Sequence, residues 1–316
     1  MAVFTRLGLD QACTAAARWG IGNVRELHGI AAGSVNSNFR LEADRGTFFL
    51  RLYEERDRAG AERDAALLVT IAARVPTPAP IATTDGARVV ELAGRPAALM
   101  PWVEGGVRCQ ASVRERDADA VGGALARMHL ACADVDAGEG RFDVPDVRRR
   151  LEAIARDPAY TAEAAHLGAR LDAWSARRDP SLPRGFVHGD LFRDNVLWDE
   201  AGAIAALLDF ESASTGPLVY DLMVTVLAWC FGDGLDLRLA GAMVRGYGAV
   251  RPLEPRERAS LAVEGCLAAI RFTATRITDY AQRGPSEGRV MKDWRRFRQR
   301  LDALEALGDE GVAALA

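Results

Sequence analysis

His188-Gly189-Asp190-Leu191-Phe192-Arg193-Asp194-Asn195, followed fourteen residues later by Asp209-Phe210-Glu211, is the stretch from which the rest of this chain can be read. Asp190 and Asn195 bracket a tight polar loop. A short hairpin follows, over residues 196–198 and 203–210, with Asp199-Glu200-Ala201-Gly202 as the turn between two apolar runs. Closing that hairpin brings Asn195 and Asp209 to its open end, beside Asp190. One amide oxygen and two carboxylates then meet at one place. Oxygen donors of that kind suit Mg²⁺, which is held by a few protein oxygens together with substrate phosphates. The bland alternative is a polar surface turn with incidental carboxylates. His188, directly ahead of the loop, reads as a residue that orients it by hydrogen bonds rather than one that carries the proton.

On the N-terminal side the pattern is rich in strands. Residues 9–19 have helical spacing and stop at Gly20. Residues 35–41 and 47–53 form one expected hairpin around Ala43-Asp44-Arg45-Gly46; residues 89–92 and 97–100 form another around Ala93-Gly94. Between them, residues 60–74 read as a helix, ended by Pro76-Thr77-Pro78-Ala79-Pro80. Past Glu104-Gly105-Gly106, a flexible joint, helices dominate. Ser112-x-x-Glu115 predicts a capping box opening a helix to about residue 131. Further helices are expected over 146–156, 161–177, 219–231, 236–249, 255–282 and 293–307. The His129 side chain, in Met128-His129-Leu130, reads as packing. The whole predicts an α+β chain of two lobes with a cleft, a strand-rich lobe over residues 1–103 and a helical lobe over 104–316.

Composition narrows the function. The chain has 316 residues and a net charge of −4, so it has no basic excess with which to hold a nucleic acid. Its five cysteines include no C-x-x-C pair, which argues against a zinc knuckle or disulfide framework and fits a reducing cytoplasm. No basic-then-apolar leader opens the sequence. The most apolar stretch, 219–231, contains Asp221 and falls short of the about 20 apolar residues that span a bilayer. A cytoplasmic protein acting on a small molecule is expected, and the oligomeric state leaves no mark. Of 40 basic residues only Lys292 is a lysine. Any mechanism needing an early phosphate-binding or Schiff-base lysine must use something else.

The spacing H-x-D-x-x-x-x-N and then D-F-x resembles the catalytic loop and metal site of the protein-kinase-like superfamily. The resemblance implies a two-lobed fold, with a small antiparallel-sheet N-lobe and a mainly helical C-lobe, that uses ATP and Mg²⁺. It implies that Asp190 accepts the proton of an alcohol while Asn195 and Asp209 hold the metal. In the strand-rich lobe the loop over 29–38, Ser34 included, can offer backbone N–H groups to phosphates, although it is not G-x-G-x-x-G. Alternation in Phe48-Phe49-Leu50-Arg51-Leu52-Tyr53 puts Arg51 opposite Leu50 and Leu52. Protein kinases have a phosphate-contacting lysine on this strand, so Arg51 is the matching cation, with Glu62 on the next helix as its expected partner. Leu99-Met100-Pro101-Trp102 joins the lobes where kinase-like folds hold adenine through the backbone. Pro101 lacks an N–H, which leaves Met100 and Trp102. Asp221 is either a charge favoured at a helix start or a carboxylate that braces the catalytic loop.

Only a dozen residues separate Asp209 from Asp221, too few for a peptide-docking segment. The chain therefore looks like the small-molecule branch, with aminoglycoside, choline and homoserine kinases. Within it the chain most resembles the kinase-like homoserine kinase family. Asn36-Ser37-Asn38-Phe39, Gly94-Arg95-Pro96-Ala97-Ala98, Asp190-Leu191-Phe192, Ala228-Trp229-Cys230-Phe231 and Arg271-Phe272-x-x-x-Arg276 are among the segments that carry the likeness. It departs at Arg193, where relatives commonly have proline, at Gly189, where many have alanine, and at Glu211, where an aromatic residue is frequent. The likeness implies phosphorylation of the side-chain hydroxyl of L-homoserine. Another small alcohol and a non-catalytic kinase-like binding module are the alternatives. An amino-acid acceptor needs a cation for its carboxylate, for which Arg271 and Arg276 are candidates, and an acceptor for its ammonium, for which Glu211 is one.

Overall fold

The computed structural model describes residues 5–30, 35–138, 140, 143–284 and 291–316, in two units. The first holds the described residues up to Glu104, with Met291. Helix α1 (Leu9–Trp19) leads into strands β1 (Val24–Gly29), β2 (Ser37–Ala43) and β3 (Gly46–Leu52). Helix α2 (Arg58–Ala72) then precedes the hairpin β4 (Val90–Leu92) and β5 (Arg95–Pro101). The five strands form one antiparallel sheet in the order β1-β2-β3-β5-β4.

The period-2 pattern of β3 sorts the two faces of this sheet. Phe48, Leu50 and Leu52 are buried with Phe39, Leu41, Leu99 and the α1 residues Ala12, Ala16 and Trp19. On the opposite face Phe49 packs with Tyr53, Met100 and the α2 residues Ala61 and Ala65. Arg51 lies on this second face, as the alternation predicts, with its guanidinium over the Phe49 ring at 5.6 Å. Helix α1 stops because Gly20 adopts the left-handed conformation (φ 62°) that glycine takes without strain. Helix α2 starts two residues before the expected position because the Asp57 side chain accepts the Gly60 N–H at 2.7 Å and caps it.

The second unit holds residues 105–284 and 292–316. Its helices are α3 (Glu115–Ala131), α4 (Val144–Ala155), α5 (Thr161–Ser175), α6 (Leu218–Trp229), α7 (Leu237–Val250), α8 (Pro255–Ala259), α9 (Leu261–Arg276) and α10 (Arg295–Ala313). Between α5 and α6 lie four short strands: β6 (Arg184–Val187), β7 (Val196–Trp198), β8 (Ile204–Leu207) and β9 (Ser214–Pro217). Every residue of helix α6 but Tyr220 is buried, and Asp221 and Thr225 are the polar residues among the buried ones.

Three expectations are corrected. The helix expected from Ser112 begins at Glu115. Ser112 lies in a 3₁₀ turn, and the Asp117 carboxylate accepts the Arg114 N–H at 3.0 Å, so the first turn is closed two residues later than the capping-box pattern places it. The expected helix over 255–282 breaks at Ser260 (φ −96°, ψ −2°) and ends in a π-helical turn over Ile277–Ala281. The small hairpin is not the only strand structure in this unit, because β6 and β9 pair as a second two-stranded ladder.

Helices α3 and α7 approach through glycines. A Cβ on Gly246 would stand 2.1 Å from the Asp119 carbonyl oxygen, and one on Gly122 would stand 2.0 Å from that of Met243. Gly246→Ala is therefore expected to force the helices apart and lower unfolding stability by about 2 kcal/mol or more. Gly248→Ala on the same helix meets nothing within 4 Å and should leave stability unchanged or raise it slightly. Urea unfolding of the two variants checks this, and equal midpoints would refute the close-contact account.

Candidate active site

Strand β6 delivers His188 to the mouth of the loop. His188 is buried, and burial pushes its pKa below the ordinary histidine value, so the ring is neutral. Its Nε2 donates to the Leu208 carbonyl at 2.9 Å, its Nδ1 accepts the Asp190 N–H at 3.3 Å, and its ring packs on Phe210 at 4.5 Å. His188 thus ties the start of the loop to the end of β8, the orienting role that its position suggests.

Asp221 resolves as the brace. It is completely buried on α6, and its Oδ2 accepts the His188 N–H at 2.7 Å and its Oδ1 the Gly189 N–H at 2.8 Å. The Nε2 of His129 donates to the same Oδ2 at 3.0 Å, and His129 Nδ1 meets the Tyr247 hydroxyl at 2.8 Å. Burial works to raise the Asp221 pKa, but the His129 hydrogen bond and charge, with the Gly189 N–H, outweigh it and hold the carboxyl below its usual range. The loop therefore hangs from a buried chain running through α6, α3 and α7. His129 and Tyr247 are members that the sequence reading did not assign to the site.

The loop is fixed at further points. The Trp229 indole donates to the Leu191 carbonyl at 2.9 Å, Arg193 donates to the Ala228 carbonyl, and Arg271 Nη1 donates to the Gly189 carbonyl at 2.6 Å. Gly189 has φ +72°, and a Cβ there would meet the Ser212 carbonyl oxygen at 2.8 Å, so glycine suits this turn. Asn195 Nδ2 donates to the Asp190 carbonyl at 2.8 Å, which turns its Oδ1 away from that bond as an oxygen donor. The Leu208 N–H donates to the Asn195 carbonyl at 2.8 Å and continues the β7–β8 pairing, so Asn195 and Asp209 flank the open end of one hairpin. Asp209 sits at φ 64°, a left-handed backbone uncommon for a non-glycine residue and of the kind that clusters at functional sites.

Asp190 itself is partly exposed, and its carboxylate makes no hydrogen bond among the described residues. Burial in the loop raises its pKa to about 6, with Arg271 and Lys292 pulling in the other direction. Such a group is largely ionised at neutral pH and basic enough to take a proton. The donors at the hairpin end, an amide oxygen and a carboxylate, are hard oxygens that fit Mg²⁺. Among the described residues no group of three or more His, Cys, Asp or Glu could hold a metal. Two protein oxygens leave most of the coordination to phosphate and water.

The remaining expected site residues divide. Glu62 is half-exposed and pairs with Arg58, one turn earlier on its own helix, at 2.8 Å. The expected Arg51–Glu62 pair is thereby corrected, since a cation four residues away on the same face is the nearer partner. Arg51 Nε donates to Asn38 Oδ1 at 3.3 Å. The Trp102 N–H, expected to be open to a ligand, donates to the Thr47 carbonyl at 3.2 Å, and Met100 is buried opposite Phe49 in the sheet. Ser34 lies outside the described residues. In the second unit Glu211 follows Asp209 directly, half-buried in a 3₁₀ turn. Arg271 is buried and held to the loop, and it lines a cavity of about 210 Å³ with Arg178, Gly189, Ser212, Tyr220 and Leu267. The Arg276 Nη1 donates to the Asp293 carbonyl at 3.0 Å, and burial lowers its pKa to about 10.

A phosphotransferase enzyme family model matches residues 26–260. The homoserine kinase of Methylocella silvestris is 34% identical over 98% of this chain and 98% of its own. Those of Rhodospirillum rubrum (35%, 100% and 99%) and Gluconacetobacter diazotrophicus (37%, 89% of both) are comparably similar. Among solved structures, an amicoumacin kinase in complex with AMP-PNP and Ca²⁺ superposes with a TM-score of 0.68 at 14% identity, over 96% of this chain and 93% of its own. A choline/ethanolamine kinase family protein from Mesorhizobium loti does so at 0.65 and 16%, over 96% and 98%. These two likenesses show the fold, which is that of protein-kinase-like phosphotransferases. Among the described residues no helix is long and apolar enough to cross a membrane.

Proposed function

Because the chain belongs to the phosphotransferase enzyme family, we propose that it transfers the γ-phosphoryl group of ATP to the side-chain hydroxyl of L-homoserine, giving O-phosphohomoserine and ADP. The observation that carries this reading is a likeness to homoserine kinases that runs over nearly the whole chain. It includes the helical unit, where family members with different acceptors would have to differ.

In this reading Asp190 takes the hydroxyl proton as the alcohol oxygen bonds to the γ-phosphorus, and the bond from that phosphorus to the β–γ bridging oxygen breaks to release ADP. The rigid hydrogen bonds to His188, Gly189 and Leu191 hold the Asp190 backbone, so the carboxylate is positioned before the substrate arrives. Asn195 and Asp209 would hold Mg²⁺, which when bound offsets negative charge on the phosphates. We assign the ATP phosphates to Arg51 and the Ser34 loop. Adenine is assigned to the backbone at Met100 and Trp102, with the Trp102 carbonyl serving in place of its engaged N–H. Glu211 suits the substrate ammonium. Arg271 acts through the loop, because its guanidinium is committed to the Gly189 carbonyl.

The test is purified protein with Mg-ATP and L-homoserine, beside choline, L-serine and an aminoglycoside, with ADP release as the readout. Homoserine should give the highest kcat/KM. A clear preference for any of the others would overturn the substrate.

A further inference from the structure

Lys292, the only lysine of the chain, was left without a role by the sequence. The fold places it on the wall of the Asp190 loop. Phe192, two residues after Asp190, meets Phe272 of α9 at 5.1 Å and Phe297 of α10 at 5.9 Å, and Phe272 and Phe297 stack at 4.7 Å. Four cations lie over this aromatic wall: Arg271 over Phe272 at 3.9 Å, Arg300 over Phe297 at 4.5 Å, and Lys292 and Arg276. The Lys292 Nζ is 6.0 Å from the Phe192 ring centre, and the Arg276 guanidinium is 4.4 Å from that of Phe297. Lys292 and Arg276 are half-buried, and neither makes an ion pair with a carboxylate among the described residues. The one hydrogen bond of Arg276 goes to a backbone carbonyl. Arg178 and Arg251 of this unit are matched by carboxylates, Glu264 at 2.6 and 2.8 Å and Glu257 at 2.9 Å, whereas Arg193 and Arg300, like Arg276, donate to backbone carbonyls.

We infer that Lys292 and Arg276 together bind the carboxylate of the acceptor and so make the enzyme select an amino-acid alcohol over a simple amino alcohol. This rests on the homoserine reading above and names the residues that would enforce it. Partly desolvated like charges repel each other, the Arg276 charge working against that of Lys292, and an anion bound by both relieves that repulsion. Burial pulls the Lys292 pKa down, but Tyr280, Asp190 and Asp194 together leave it above its ordinary value, so the ammonium is charged at neutral pH. Lys292 packs on Phe192, two residues after Asp190, which sets the ammonium beside the loop that carries the proton acceptor. In homoserine the carboxylate and ammonium share one carbon and the hydroxyl-bearing carbon lies two carbons further on, so the two cations and Glu211 would meet the amino-acid head and Asp190 the hydroxyl. A primary alcohol carrying both charged ends of an amino acid meets all three demands.

The test compares L-homoserine with 3-aminopropan-1-ol, which is homoserine without its carboxylate, for wild type, Lys292→Met, Lys292→Arg and Arg276→Met. Wild type should prefer homoserine strongly. In Lys292→Met and in Arg276→Met the KM for homoserine should rise about 10²-fold, with a much smaller change in kcat, and the preference over 3-aminopropan-1-ol should shrink by the same factor. Lys292→Arg should recover a good part of the loss, because charge is retained. Proportional losses on both alcohols would show that the cations merely support the loop, and would overturn the inference. So would an unchanged homoserine KM in both variants. Failure of the homoserine reading itself looks different: wild type would then favour 3-aminopropan-1-ol or use neither alcohol.

Discussion

Asp190→Asn is expected to lower kcat by about 10²–10⁴-fold while leaving the Kd for Mg-ATP close to that of wild type. The substitution is unusually clean in this site. The hydrogen bonds that the residue accepts, from the Phe192 N–H at 2.7 Å and Asn195 Nδ2 at 2.8 Å, go to its backbone carbonyl. Its side chain makes no hydrogen bond among the described residues, so an amide of the same shape disturbs no contact of the loop. What is lost is basicity alone. Steady-state ADP release measures the turnover, and calorimetric titration with ATP measures the binding. Wild-type turnover in this variant would remove Asp190 from the mechanism, and a matching loss of ATP affinity would show that the loop had collapsed instead.

Asp209→Asn should reduce activity on the order of 10²-fold or more and raise the Mg²⁺ concentration needed for half-maximal rate. Asparagine is chosen because Asp209 occupies a left-handed backbone (φ 64°), which asparagine tolerates and alanine does not, so the charge is removed without unseating the turn. Asn195→Ala removes a neutral oxygen and one loop hydrogen bond, and should be the milder change. A Mg²⁺ titration of the three proteins separates these outcomes. Full activity in the presence of a chelator would refute the site as drawn.

The core of the site was legible because it is local. Asp190, Asn195 and Asp209 are joined by one loop and one hairpin, and turn residues and strand alternation are written in consecutive positions. The same locality made the β2–β3 and β4–β5 hairpins readable, along with the face that carries Arg51, whereas β1 and the pairing of β3 with β5 were not read. Partner choice was not legible to the same degree. Alternation and helical spacing placed Glu62 on a helix near Arg51, but an exposed glutamate pairs with whichever cation is nearest, and Arg58 is one turn away. The Ser112 capping pattern failed in a similar way, since Arg114 and Asp117 offered a competing closure. The β6–β9 ladder escaped notice because a four-residue strand is too short to show a period, and its partner lies across the whole catalytic loop.

From its sequence alone, then, this chain shows the loop over 188–195, the hairpin that joins Asn195 to Asp209 and the strand face that carries Arg51. Each depends on residues close enough in the chain for spacing to constrain geometry. Only the tertiary structure could decide that Asp221 accepts the loop N–H groups, that His129, 92 residues away, holds Asp221, and that Tyr247, 118 residues beyond, holds that histidine. It likewise turned Arg271 toward the Gly189 carbonyl rather than toward solvent, and set Lys292 over Phe192. These are contacts between elements whose packing is governed by buried apolar area. Apolar patterning states which face of a helix goes inward, but not which helix it will meet there.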